Sequence, residues 1–231
     1  MERERTRTQA ERRAVRRHGG VVVGNVYDKY GTRNPLARRL VDGFLAAFDG
    51  LVDVTGAGSA LEVGCGEGEL AFRLARRGIR TRAFDISPEL VAQAERSACA
   101  AGLPVEFHVD DIYVFDVQRR TEDLLVCCEV LEHLPRPEEA IERLARAARG
   151  FVILSVPSEP LWRFLNLARF RYLNRLGNTP GHLQHWTRKR FVALVARHLE
   201  VIRVVSPLPW TLVLARVREP GRSTENAELA R

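Results

Sequence analysis

The sequence predicts an α/β fold in which a mostly parallel sheet carries helices on both faces. Three observations predict it. SALEVGCGEG (59–68) is a short apolar strand broken by glycines at 64, 66 and 68, with Ala71, Leu74 and Ala75 following at helical spacing. Strand-like and helix-like stretches alternate from there to residue 205. FVILSV (151–156) is an unbroken apolar run, as a parallel strand covered on both sides produces.

Taken in order, residues 1–20 hold seven Arg and three Glu and read as a flexible Arg-rich arm. Residues 21–54 read as a lid and packing helix. Gly31, Asn34 and Pro35 punctuate a loop, and Pro35 suits the first turn of a helix. Leu36, Leu40, Val41, Phe44, Leu45 and Phe48 then recur at helical spacing, to about Val52. The main domain is 55–217. Its strand 59–63 leads to helix 68–77, and strand 80–85 to helix 88–101, which Ser87 caps and Pro88 opens. Strands 105–109 and 123–128 come next. Helix 137–149 opens with Pro137 and carries Glu138 and Glu139 where acids complement the helix dipole. Strand 151–156 follows. Residues 157–186 are too long for a simple crossover and read as a substrate-wall insertion, with an amphipathic, basic stretch at 162–177. Helix 188–198, strand 200–205, the turn SPLP and a returning strand 210–217 close the domain, and 218–231 is a polar, flexible tail.

Composition sets the outer bounds. A chain of 231 residues, 45% apolar and 28% charged, is one globular domain with a real core. No apolar run approaches 18 residues, and the charged N-terminus has no hydrophobic segment behind it. These features predict no membrane span, no signal peptide and a cytoplasmic protein. The net charge is +7, but four of those charges fall in residues 1–20. The modest charge elsewhere, and the lack of a recognisable RNA-binding module, weigh against nucleic acid as the partner. Cys65, Cys99, Cys127 and Cys128 make no C-x-x-C pair and no zinc spacing, which predicts reduced thiols.

The glycine turn is the first chemical signal. Glycine lets backbone approach a ligand more closely than any Cβ allows, and the helix behind it aims unpaired N–H groups at the same space. Asp85 ends the next strand, 19 residues after Gly66, where an acid can accept the hydroxyls of a ribose. Right-handed crossovers put the carboxyl ends of these strands on one edge, so cofactor and substrate should meet there. The second signal is EVLEHL (129–134), which leaves a strand at that edge. If it turns helically, Glu129, Glu132 and His133 share one face. His182 and His185 follow in GHLQHWTRKRF. Two carboxylates with one or two imidazoles would suit a hard-to-borderline divalent ion.

With LEVGCGEG, AFDIS, VDD (109–111) and VCCEVLEHLP (126–135) in this order, the chain resembles class I S-adenosylmethionine-dependent methyltransferases, over residues 55–217. The third glycine comes one residue too early for a dinucleotide dehydrogenase. The resemblance implies a Rossmann-like, seven-stranded, mostly parallel sheet with an antiparallel last strand. It implies S-adenosylmethionine as cofactor, with Glu62, Gly64, Cys65 and Gly66 at its methionine end, Asp85 on the ribose and Ile86 on the adenine. Asp110 or Asp111 would accept from the adenine amino group, or cap the loop after the third strand. Tyr27 and Tyr30 are candidates for a lid.

The EVLEH segment is similar to that of ubiquinone-biosynthesis O-methyltransferases (the methyltransferase type 11/12 group). It also resembles small-RNA 3′-terminal 2′-O-methyltransferases, which pair it with a later His before W-T-R-x-x-F. Both resemblances imply a divalent ion such as Mg²⁺ on Glu129, Glu132, His133 and His182, with His185 the alternative to His182. In metal-free relatives the Glu at 129 faces the cofactor and the His steadies the loop, and His133 or His182 is then the candidate general base. The expected activity is methylation of a small molecule, at a hydroxyl. An RNA 3′-terminal ribose 2′-O-methyltransferase and a non-catalytic cofactor-binding scaffold are the alternatives.

Overall fold

The computed structural model describes residues 17–18, 21–22, 32, 34–118, 122–159, 161 and 182–218. The Arg-rich arm beyond its short antiparallel pair Arg17–His18 with Val21–Val22, Tyr27 and Tyr30, the basic stretch 162–177 and the tail from 219 all lie outside the described residues.

A seven-stranded sheet organises the rest. Its strands are β1 Ser59–Val63, β2 Arg80–Asp85, β3 Val105–Val109, β4 Leu124–Cys128, β5 Phe151–Pro157, β6 Glu200–Val205 and β7 Trp210–Arg216. The spatial order is β3-β2-β1-β4-β5-β7-β6. The first five strands pair in parallel, and β7 runs antiparallel to both β5 and β6. The chain therefore reverses direction in the order at β1 and β4, which brings the ends of β1, β2 and β4 around one crevice.

Five helices fall where the sequence places them: α1 Pro35–Thr55, α2 Glu69–Arg76, α3 Pro88–Ala101, α4 Pro137–Ala147 and α5 Arg188–His198. Asn34 starts α1, its Oδ1 accepting from the N–H of Leu36 and Ala37 at 3.0 and 3.1 Å. Ser87 starts α3, its Oγ accepting from Leu90 N–H at 3.4 Å. Alternation along each strand sorts the core. Ala60, Leu124, Val126, Ile153, Leu212 and Leu214 pack against Phe44, Phe48 and Leu51 of α1. Their neighbours Leu61, Leu125, Cys127, Val152, Leu154 and Val213 pack against Ile141 and Leu144 of α4 and Phe191 of α5. Both faces of the sheet are thus covered, as a central parallel strand of unbroken apolar residues requires. No described helix is long and apolar enough to cross a membrane.

Candidate active site

β1 ends at Val63 and the chain turns through Gly64, Gly66 and Gly68, all at positive φ (73°, 55° and 86°). Phe84 at the end of β2 accepts the N–H groups of both Gly64 and Cys65, at 2.8 and 2.9 Å, which holds the turn against the sheet. Gly64 is a point of close approach: a Cβ there would lie 2.5 Å from Val130 Cγ2, in the chain leaving β4. Gly66 is the opposite case. A Cβ there would meet nothing within 4 Å, so this part of the turn faces open space. Gly68 precedes α2 and supplies no side chain to cap it, so the first N–H groups of that helix remain directed to the same side.

Asp85 is buried at the foot of the turn and ties it down. Its Oδ2 accepts from Gly66 N–H and its Oδ1 from Ser87 N–H, both at 2.9 Å. Ile86 follows, half-buried. Asp110 donates its N–H to the Asp85 carbonyl at 3.1 Å, so the loop after β3 is stitched to the end of β2. Asp110 Oδ1 accepts from Asp111 N–H, and Asp111 Oδ1 from Tyr113 N–H, both at 2.8 Å. Both acids cap the local turn and both sit at the crevice. Glu62 is buried one residue before the turn's neck. Burial first, and then the charges of Glu62 and Asp85, push the Cys65 thiol far up. Cys65 therefore stays a thiol and serves as packing, not as a nucleophile.

Beyond β4 the structure departs from a helical face. Glu129 takes φ 61°, the left-handed region, and only Leu131–His133 form a single 3₁₀ turn. The left-handed step turns the chain before the 3₁₀ turn begins, so Glu129 separates from Glu132 and His133. Its carboxylate points back to the sheet, where Oε1 accepts from Ser155 Oγ at 3.2 Å and Oε2 from Trp210 Nε1 at 2.7 Å. Sequence inspection missed both partners, because strand pairing alone brings β5 and β7 beside residue 129.

Glu132 and His133 instead meet His182. One ligand atom from each lies within 4.8 Å of the others, and Glu132 is buried. The two imidazoles stand edge to face with centroids 5.0 Å apart. The segment carrying His182 is strapped on by backbone: Leu183 and Gln184 both donate to the Glu132 carbonyl, at 2.7 and 3.1 Å. His185 is not in this group. Its Nδ1 faces Glu159 Oε1 at 3.4 Å.

A family model described as a methyltransferase domain matches residues 60–150. The chain is 28% identical over 200 residues to the ubiquinone biosynthesis O-methyltransferase of Xylella fastidiosa (strain 9a5c), spanning 80% of this chain and 78% of that protein. It superposes on magnesium protoporphyrin IX methyltransferase (ChlM) from Synechocystis PCC 6803 with bound SAH. The TM-score is 0.63 at 20% identity, over 81% of this chain and 89% of that one. The methyltransferase domain of bacterial CtHen1 gives a TM-score of 0.62 at 20% identity, over 77% of this chain and 100% of that one. These likenesses support a class I S-adenosylmethionine-dependent methyltransferase.

The residues of this chain fit that cofactor. The turn is open at Gly66, where a side chain would stand in the way. Asp85 keeps a buried carboxylate at the end of β2, and the uncapped start of α2 presents N–H donors to a carboxylate. The second group, Glu132, His133 and His182, offers one carboxylate and two imidazoles. That donor set fits a divalent ion that accepts imidazole, such as Zn²⁺ or, less strongly, Mn²⁺, better than Mg²⁺, which favours oxygen ligands. With Glu129 engaged elsewhere, the second carboxylate expected of a Mg²⁺ site is not in the cluster.

Proposed function

We propose that the enzyme transfers the methyl group of S-adenosylmethionine to a hydroxyl of a small-molecule acceptor, with a divalent ion on Glu132, His133 and His182. The observation that carries this reading is the convergence of those three side chains from two segments 49 residues apart. Their turn begins directly after Val130, which packs on Gly64. The ligand cluster and the cofactor turn are therefore neighbours. The curated relative's name, an O-methyltransferase, supports the hydroxyl.

The sulfonium of the cofactor supplies an electrophilic methyl, so the protein has to place a nucleophile in line and dispose of one proton. Glu62 and the turn from Gly64 to Gly66 would hold the methionine end, with Asp85 on the ribose. A divalent ion on the cluster would supply a Lewis acid that lowers the pKa of a bound hydroxyl. The same geometry suits an RNA 3′-terminal ribose, whose vicinal hydroxyls offer similar oxygens.

The test is transfer of tritiated methyl from S-adenosylmethionine to catechol, 3,4-dihydroxybenzoate, a short polyprenyl catechol and a 3′-hydroxyl RNA duplex. It is run with EDTA and with Mn²⁺, Zn²⁺ or Mg²⁺ restored. The expected result is O-methylation of at least one catechol, lost with EDTA and recovered best with Mn²⁺ or Zn²⁺. Transfer that ignores chelation removes the metal. A product methylated only on nitrogen or carbon removes the hydroxyl. Transfer confined to RNA, falling steeply with salt, moves the acceptor to nucleic acid.

A further inference from the structure

We propose that His185, oriented by Glu159, is the proton acceptor for the acceptor hydroxyl; this rests on the hydroxyl reading above. Glu159 lies two residues beyond Pro157, where β5 ends on the same edge as the cofactor turn. Its side chain is only 10% exposed, and neither carboxylate oxygen receives a hydrogen bond among the described residues. Burying a carboxylate without donors is expensive, and stability alone does not retain such a group. The side chain facing it is that of His185, whose Nδ1 stands 3.4 Å from Oε1.

The backbone fixes this pair relative to the ligand cluster. Ser158 bridges to Trp186 as a parallel pair, and Glu159 N–H donates to the Trp186 carbonyl at 2.9 Å. On its other side the same segment is bound to Glu132 through Leu183 and Gln184. The stretch from His182 to Trp186 thus spans from the cluster to the end of β5, one imidazole serving each end. His182 and His133 turn their ring nitrogens to the cluster, and an imidazole lone pair given to an ion is not available to a proton. His185 has no such commitment. A proton held on Nδ1, the nitrogen nearer Glu159, would leave the lone pair on Nε2 facing away from the carboxylate, and the side chain is 36% exposed.

The step balances without further reagents. The hydroxyl proton passes to His185 Nε2, and the oxygen forms its bond to the methyl carbon. The carbon–sulfur bond breaks with its electron pair left on sulfur, giving S-adenosylhomocysteine. The imidazolium then returns its proton to solvent. Glu159 touches no reacting atom. It is a positioning residue that selects the tautomer.

The test has two arms. With catechol as probe, His185→Gln is expected to lower kcat on the order of 10²–10³-fold, and Glu159→Gln about 10-fold, with S-adenosylhomocysteine affinity by calorimetry unchanged in both. Added imidazole should restore part of the rate to His185→Gly, which no structural loss would allow. A His185→Gln enzyme within threefold of wild-type kcat overturns the base. The second arm needs no acceptor: ¹⁵N-histidine spectra of the full wild-type chain should show His185 with its proton on Nδ1, and Glu159→Gln should shift those signals. A proton on Nε2 overturns the pair. Wild-type enzyme that methylates no hydroxyl probe removes the hydroxyl reading itself, and the base with it, which distinguishes that failure from one confined to His185 variants.

Discussion

The Trp210 indole N–H donates to Glu129 Oε2 at 2.7 Å, and the same ring packs against Phe44 of α1 with centroids 5.2 Å apart. One side chain of the last strand therefore joins the N-terminal helix to the residue that leaves β4 at the cofactor edge. Trp210→Phe keeps a ring against Phe44 and removes the donor. A hydrogen bond to a charged group contributes about 1.5–3 kcal/mol. The expected outcome is a loss of that order in a urea melt, and S-adenosylhomocysteine binding weakened about tenfold by calorimetry. Trp210→Ala should lose about 3–5 kcal/mol, because it also leaves a cavity.

The glycines of the turn should separate by mechanism. Gly64→Ala places a Cβ 2.5 Å from Val130 at φ 73°, and should lower stability by about 1–3 kcal/mol. Gly66→Ala meets no atom of the protein. It should cost about 1 kcal/mol for its backbone angle, yet abolish calorimetric cofactor binding because the methyl enters the crevice. A Gly66→Ala enzyme that binds normally would remove the crevice from the cofactor site.

Asp85→Ala withdraws the acceptor of Gly66 N–H and Ser87 N–H together. Both the turn and the start of α3 lose an anchor. Cofactor affinity should fall at least 30-fold, about 2 kcal/mol, with a lower melting temperature in the absence of ligand.

At the opposite edge of the sheet, Asp123 Oδ2 accepts from Ser59 Oγ at 2.9 Å and from the N–H of Gly58 and Ser59 at 3.1 Å. The Ser59 hydroxyl first, and then those amides, hold its pKa below the ordinary value of 3.8. A carboxyl depressed in the folded state stabilises it fully above the unfolded pKa, and that contribution disappears as pH falls through the folded value. The advantage of wild type over Asp123→Asn in urea melts should be full at pH 7 and be lost progressively as the pH falls below the ordinary carboxyl range.

A divalent ion that binds only the folded chain raises the melting temperature with its concentration. Mn²⁺ or Zn²⁺ should do so for the wild type, and His182→Ala should abolish the shift. Glu129→Gln should leave the shift largely in place, since that carboxylate is held by Ser155 and Trp210 rather than by the cluster.

Most of the fold was legible because local signals and burial agree. Pro88 after Ser87, Pro137 before two glutamates and the run FVILSV each mark an element that the structure contains. The glycine turn and Asp85 were legible too, since they lie within one strand–helix–strand unit. EVLEHL misled in one respect. A spacing of i, i+3 and i+4 implies a common face only while the backbone stays helical, and Glu129 does not. Its partners Ser155 and Trp210, and Glu159 beside His185, come from segments distant in sequence, where periodicity carries no information about pairing. That His182 joins Glu132 and His133 was legible only through resemblance.

The insertion of β7 between β5 and β6 has a consequence for synthesis. Glu129 is translated long before the indole that holds it, and Phe44 earlier still. A ribosome that has finished α5 has made the turn, the acids and all three side chains of the cluster, yet the emerging polypeptide still lacks the ring that locks residue 129. Competence to hold cofactor should therefore arrive late, with the final strand, rather than accumulate as the preceding elements appear.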